Sequence, residues 1–321
     1  MKALGIYPRA YPATLVIVVA ILTACSTAAG HKGRETATAT SLPSITEVLS
    51  ATPTTSATAS ETPVPSPTLD NRIPPERWQE WPVVPTAGPE VKKIYQRGVE
   101  LGNNPGAFSK IGDGEISTVW FLSQYDLGPG NYHLGPYPEL GSVINRFSGS
   151  FGHVGLAAGR GFTTTIILGP APAGTSECQT SETRLDCELR TFHPAFAIIS
   201  LGTNQVWQPE IFKPELQRII ERLLEGEVVP ILATKADNLE GDQRINQIIA
   251  ELAYTYHLPL WNFWLAVQPL PEHGLQTDHE HLTYAYSDFS NPINFKYAWP
   301  WRNLTALQVL DSVAKSVTSQ P

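Results

Sequence analysis

In the second half of the chain, apolar positions follow two patterns that take turns. Phe196–Leu201 (FAIISL) reads as a continuous buried strand, as does Val228–Leu232 (VVPIL), while Leu260–Phe263 (LWNF) is a shorter run. Between and after them the apolar spacing changes to three and four residues. Leu216, Ile219, Ile220, Leu223 and Leu224 mark one helix face, with Gly226 placed to stop it. Ile245, Ile248, Ile249, Leu252, Ala253 and Tyr256 mark a second, and Leu304, Leu307, Leu310, Val313 and Val317 a third, with Asn303 expected as its cap. Pro230 removes a ladder donor, which places its strand near an edge or at a bulge. A first strand is expected at Phe108–Ile111, and Phe162–Leu168 (FTTTIIL) fits strand and helix equally. Non-alternating strands separated by amphipathic helices predict an α/β fold with a parallel sheet covered on both faces.

The first quarter of the chain is different. Lys2 and Arg9 precede an apolar run of 12 residues, Ala13–Ala24, which is the length of an export signal and too short to span a bilayer. It ends in Leu22-Thr23-Ala24-Cys25, which resembles the bacterial lipobox. That resemblance implies cleavage after residue 24 and acylation of Cys25, giving an extracytoplasmic protein anchored to a bacterial membrane by its N-terminal lipid. An ordinary secretory signal with an incidental cysteine is the alternative. From Glu35 to Leu69, 26 of 35 residues are Thr, Ser, Pro or Ala. Such a segment buries too little apolar surface to offset its chain entropy, so residues 25–72 are expected to form a disordered stalk and residues 73–321 the globular domain.

Charge and cysteine content narrow the function. The chain carries 22 basic and 30 acidic residues, a net charge of −8. Without residues 1–24, which hold Lys2 and Arg9 and no acid, 20 basic residues face 30 acidic ones, a net of −10. A phosphate-binding surface shows the opposite balance, so nucleic acid is not an expected partner. With Cys25 acylated, Cys178 and Cys187 remain as an even pair on the oxidising side of the membrane, which predicts a disulfide. A metal pair or two free thiols are the alternatives.

In a parallel sheet the chemistry lies beyond the carboxyl ends of the strands. There the sequence offers Gly112-Asp113-Gly114 after the first strand, Gly202-Thr203-Asn204 after Phe196–Leu201, and Asp278-His279-Glu280-His281-Leu282-Thr283 before the last helix. Asp278 and His281 stand one turn apart, the spacing at which a carboxylate can hold an imidazole's tautomer and leave its Nε2 free as a base. A capping Asp in a surface turn has the same pattern. Asn204 is placed to bond a developing oxyanion, or its own backbone in a turn. In Asn145–Gly149 (NRFSG), Gly149 lets a backbone N–H approach a ligand without a Cβ in the way.

In this order the elements resemble the SGNH/GDSL hydrolase family, over about Phe108 to Thr283, with the D-x-x-H-L-T piece the most specific match. The resemblance implies a three-layer α/β/α sandwich on a five-stranded, flavodoxin-like parallel sheet. It also implies esterase-type acyl hydrolysis by Ser, His and Asp without metal or other cofactor. His281 would be the general base, Asp278 its orienting partner, and Gly149 and Asn204 the oxyanion hole. The sequence departs from the family at the nucleophile, whose place is taken by Gly114. Ser117, one turn on, and the carboxylate of Asp113 are the nearest substitutes.

Two features allow other readings. His273, Asp278, His279 and His281 together fit a metal cluster. Tyr284, Tyr286, Phe289, Phe295, Tyr297, Trp299 and Trp301 put seven aromatics within 18 residues, either as a glycan-facing wall or as packing for a long loop. The expectation is a lipid-anchored, esterase-like protein acting on acylated glycans. Its rivals are a catalytically silent module holding a surface glycan in the same cleft, and a plain surface spacer.

Overall fold

The computed structural model describes residues 70–319. The leader, Cys25 and the Thr/Ser/Pro-rich segment to Leu69 lie outside the described residues. Of the expected stalk, residues 70–72 are described, and they touch the domain. The Arg72 guanidinium stacks 3.9 Å from the Tyr254 ring centre and donates to the Tyr254 carbonyl (2.9 Å), while the Tyr254 hydroxyl donates to Asp70 (2.8 Å). Among the described residues no helix is long and apolar enough to cross a membrane.

The fold is α/β. Strands β1 (Asn104–Gly112), β2 (Pro194–Ser200), β3 (Val229–Ala233) and β4 (Leu260–Trp261) form one all-parallel sheet in the order β1-β2-β3-β4. Beyond β1, Ala158 makes an isolated parallel bridge to Gly112, whose N–H donates to the Ala157 carbonyl at 3.0 Å. The sheet therefore has four strands where five were expected, and the fifth is reduced to this one bridge at Ala158, on the side of β1 where a flavodoxin-like order would place it. Nearer the start of β1, the Phe108 N–H donates to Ser150 Oγ at 3.1 Å.

The helices are α1 (Pro89–Glu100), α2 (Gly114–Ser117), α3 (Gly141–Arg146), α4 (Thr164–Leu168), α5 (Arg184–Phe192), α6 (Pro209–Glu225), α7 (Arg244–Thr255), α8 (Phe263–Val267) and α9 (Ala298–Thr318). Parallel neighbours need crossovers, and right-handed ones put α5, α6 and α7 on one face. On the other face α1 and α9 pack together. The ambiguous segment at 162–168 is helical because the Thr163 hydroxyl accepts the Ile166 N–H and starts α4.

Two local expectations are corrected. β3 is interior, not an edge, between β2 and β4. It tolerates Pro230 because β4 pairs only with Leu232 and Ala233, so no strand lies on that side at the level of the proline. Asn303 does not cap α9, which begins five residues earlier at Ala298. It is buried inside the helix, where its Oδ1 accepts from the Leu122 N–H (2.9 Å) and its amide donates to the Trp120 carbonyl (2.9 Å) and Ser287 Oγ (2.6 Å).

Cys178 and Cys187 form a disulfide that ties the loop before α5 to the helix itself.

Candidate active site

The loops at the carboxyl ends of the strands enclose a cleft of about 730 Å³, to which Gly114, Glu115, Ser117, Trp120, Arg160, Asn204, His281 and Trp299 contribute. Four segments build it.

The first is the β1–α2 turn. Gly112 adopts φ +155° with its Cα against the Ser200 carbonyl, which a Cβ would meet at 1.9 Å, so only glycine fits. Asp113 caps α2, its Oδ1 accepting the Glu115 N–H at 3.1 Å. Burial pushes the Asp113 carboxyl up to about 6. Gly114 is the first residue of α2 and faces the cleft. Ser117 also lines the cleft, but its Oγ bonds back to the Gly114 carbonyl at 3.4 Å, at the far end of the helix.

The second is the loop from Gly202 to Asn204. Gly202 takes φ +131°, which swings the chain out of the sheet. Beneath it lies a buried ionic cluster. Lys235 Nζ donates to Asp237 (2.7 Å) and Glu240 (2.6 Å), and Thr203 Oγ1 donates to the other Asp237 oxygen at 2.7 Å. Asn204 is exposed, and its amide donates one hydrogen to the Phe162 carbonyl at 3.2 Å. The other points to no acceptor among the described residues.

The third is Gly159-Arg160-Gly161, directly after the bridge at Ala158. The Gly159 N–H donates to the Gly112 carbonyl (3.0 Å), which fixes the loop to the end of β1. The N–H groups of Arg160 and Gly161 donate to nothing among the described residues.

The fourth carries Asp278 and His281. Leu275 and Leu282 bridge antiparallel, Leu282 is buried, and the Thr283 N–H and Oγ1 both donate to the Gly274 carbonyl (2.7 and 2.9 Å). Thr283 Oγ1 in turn accepts the Ala298 N–H that opens α9 (3.0 Å). Leu282 and Thr283 thus seat the turn, and the turn presents the dyad. Asp278 Oδ1 accepts the N–H groups of Glu280 and His281, both at 3.0 Å, and Oδ2 lies 2.7 Å from His281 Nδ1. The two backbone donors and the imidazole hold Asp278 down to about 2. The bond to Asp278 raises His281, since it favours the imidazolium.

Gly149 does not reach the cleft. Its N–H donates to Asp126 Oδ1 at 2.8 Å, so it supplies no oxyanion donor. The physical reason is sheet order: only the segment beside the carboxyl end of β1 meets Gly114, and that segment ends at Arg160. Nor do His273, Asp278, His279 and His281 converge on a shared ion. His273 Nδ1 turns to the Gln268 carbonyl (3.1 Å), and the one cluster of metal-ligand type among the described residues is the disulfide pair with Glu182.

Sequence reasoning missed three cleft residues. Arg160 carried no signal beyond its flanking glycines. Trp120 packs at a tilt on Tyr284 (centroids 4.6 Å) and meets Trp299 edge-on (6.1 Å), forming with Tyr286 an exposed aromatic shelf at the cleft rim. Phe289, Phe295 and Trp301 pack on one another instead. Glu115 lies next to Gly114 with 24% of its side chain exposed. Burial pushes it up to about 7, against the pull of Arg302, whose Nη1 is 3.4 Å from Glu115 Oε2.

No protein-family model matches this chain, and no curated protein does. Among solved structures it is similar to a GDSL-like lipase from Bacteroides thetaiotaomicron, with a TM-score of 0.39 and 15% identity over 69% of this chain and 97% of that one.

Proposed function

We propose that the protein is an ester hydrolase of the SGNH type, held outside the cell on a lipid anchor and acting on acylated glycans. The observation that carries this reading is the Asp278–His281 pair, bonded at 2.7 Å and opening into the same cleft as Gly114, Asn204 and Arg160. An imidazole with a fixed tautomer opposite convergent N–H donors is the arrangement acyl transfer needs. The Arg160 N–H takes the oxyanion role the sequence suggested for Gly149. The shelf of Trp120, Tyr284 and Tyr286 favours the glycan part, since sugars stack on exposed rings. The lipobox-like Leu22–Cys25 supports the anchor, because two acyl chains bind a membrane stably where one does not.

The test is turnover of chromogenic acetyl esters and acetylated oligosaccharides by the full chain, wild type beside Gly114→Ser. Hydrolysis that depends on His281 supports the reading. Failure of both proteins on every ester overturns it. Trp120→Ala should raise KM for an acetylated oligosaccharide about tenfold and leave a small acetyl ester unaffected. Detergent-phase partitioning checks the anchor, which Cys25→Ser should abolish.

A second reading has its own observation, the glycine at position 114. Without a hydroxyl there, the same cleft and shelf make a glycan-binding module. Glycan-array binding by wild type, coupled with an inert Gly114→Ser, would favour it.

A further inference from the structure

The cleft contains a group that takes no part in the Ser-His-Asp scheme. We propose that Glu115 is the general base of this protein, activating a water molecule at the Gly114 position for direct hydrolysis of the ester, with His281 serving as the acid. The inference rests on the ester-hydrolase reading above and adds the means by which a chain with glycine at 114 performs it.

Four observations carry it. Glu115 lines the cleft together with Gly114, Asn204 and His281. Its carboxylate accepts no hydrogen bond among the described residues, and its nearest partner is Arg302 Nη1 at 3.4 Å. The rival groups are committed: Asp113 caps α2, and Ser117 Oγ is turned to the Gly114 carbonyl. Finally, the space beside Gly114 is open: apart from its two chain neighbours and its own helix backbone, a Cβ there would meet only Arg160, at 3.9 Å. A water can stand where a serine hydroxyl would project.

The groups facing Glu115 set its behaviour. Arg302 approaches from α9, Asp113 from its own turn, Asp237 from the loop after β3, and His281 from the loop before α9. Arg302 is wholly buried among Phe121, Trp261 and Phe263, and its Nε and Nη1 have no hydrogen-bond partner among the described residues. It holds the carboxylate in place without occupying its lone pairs. Burial and the two aspartates outweigh it, so Glu115 titrates at about 7, where a base is most effective. His281, held by Asp278 and facing Glu280 and Glu115, is raised as well, which for an imidazole favours the charged, proton-donating form.

The step balances without a covalent intermediate. The water oxygen bonds to the acyl carbon as Glu115 takes its proton, and the carbonyl π electrons move onto the oxygen, which the Arg160 N–H and the free Asn204 hydrogen receive. Collapse re-forms the carbonyl and breaks the bond to the alkoxy oxygen, which takes a proton from His281 Nε2. Acid and alcohol leave. Glu115 then loses its proton to solvent and His281 regains one, so one water is consumed and no other reactant is needed.

The experiment uses the full chain in detergent with p-nitrophenyl acetate, comparing wild type, Glu115→Gln, Glu115→Asp, Gly114→Ser and Gly114→Ser/Glu115→Gln, each checked for fold by circular dichroism. Wild type should turn over without a burst and with a bell-shaped pH profile, rising through about 7 as Glu115 ionises and falling as His281 loses its proton. Glu115→Gln should lose about 10²-fold and its rising limb, and Glu115→Asp should keep that limb at a reduced rate. In Gly114→Ser the serine attacks and His281 becomes the base, so a burst appears and activity rises through the histidine pKa to a plateau. In that background Glu115→Gln should cost less than threefold. A folded Glu115→Gln that matches wild type in rate and profile overturns the proposal. So does an inert wild type beside an active Gly114→Ser, an outcome that leaves the hydrolase reading standing. Inert wild type and inert Gly114→Ser overturn both.

Discussion

A Cβ placed on Gly114 would lie 3.9 Å from the Cα of Arg160, in ordinary contact with the loop that lines the cleft beside it. The position is therefore glycine by composition and not by backbone demand: Gly114 begins an α-helix and has none of the left-handed conformation seen at Gly112 or Gly202. Gly114→Ser should fold, with a stability equal to wild type or higher by up to about 1 kcal/mol, because serine restricts the unfolded chain more than glycine does. Urea unfolding followed by circular dichroism measures this, and a loss above about 2 kcal/mol would contradict it.

In the Gly114→Ser background, Asp278→Asn should reduce kcat on the order of 10³- to 10⁴-fold with little change in KM. The amide keeps the turn's backbone bonds but no longer holds the proton on Nδ1. The pH at half-maximal rate should also move down, since the bond that raises His281 is weakened. Equal kcat in the two proteins would detach the dyad from the chemistry.

Asn204 and Gly149 should part company. With Asn204 as the proposed oxyanion donor, Asn204→Ala should lower kcat about 10²- to 10³-fold. Gly149 lies outside the cleft with its N–H on Asp126, at φ +91°. Gly149→Ala should leave turnover intact while lowering stability by about 1 kcal/mol through backbone strain. Steady-state kinetics with thermal melts on both variants separates the two outcomes.

The Cys178–Cys187 bond closes a short loop across the start of α5. Replacing both by serine should destabilise the domain by roughly 2–3 kcal/mol. Non-reducing peptide mapping of the purified protein should recover the linked pair, and both thiols free to alkylation would refute the bond.

Lys110 gives the domain a pH signature away from the cleft. The side chain is fully buried, donating to the carbonyls of Phe121 (3.1 Å) and Phe151 (2.6 Å), and burial lowers it from 10.5 to about 8. Between those values the unfolded chain binds the proton that the folded one releases, so this lysine makes stability rise with pH from about 8 to 10. The gain is at most about 3 kcal/mol. Lys110→Met should unfold more easily and lack that rise. Urea midpoints at pH 7.5, 8.5 and 9.5 should diverge between the two proteins, and parallel curves would contradict the assignment.

What was legible in the sequence follows from which interactions are local. β2 announces itself because all seven of its residues are buried, and α6 and α7 because one face of each is. The Asp278–His281 pair is legible because one turn of chain makes the bond. Gly149 misled because choosing between it and the Gly159–Gly161 loop requires knowing which segment closes beside β1, a contact formed by a single bridge. Asn303 misled because its amide serves three groups from 16 to 183 residues away, which no local pattern encodes. Glu115 stood in plain view, but its partner Arg302 comes from the far end of the chain.

The borders of the sheet have a consequence for self-association. An exposed strand edge is a template on which another chain can add a strand and begin aggregation. Here β1 hands its outward N–H groups at Phe108 and Gly112 to a serine hydroxyl and a loop carbonyl, and the Gly112 carbonyl to Gly159. At the opposite border β4 is two residues long. Among the described residues these partners interrupt the β1 edge and β4 offers only a short one, so neither border presents a long template for an added strand.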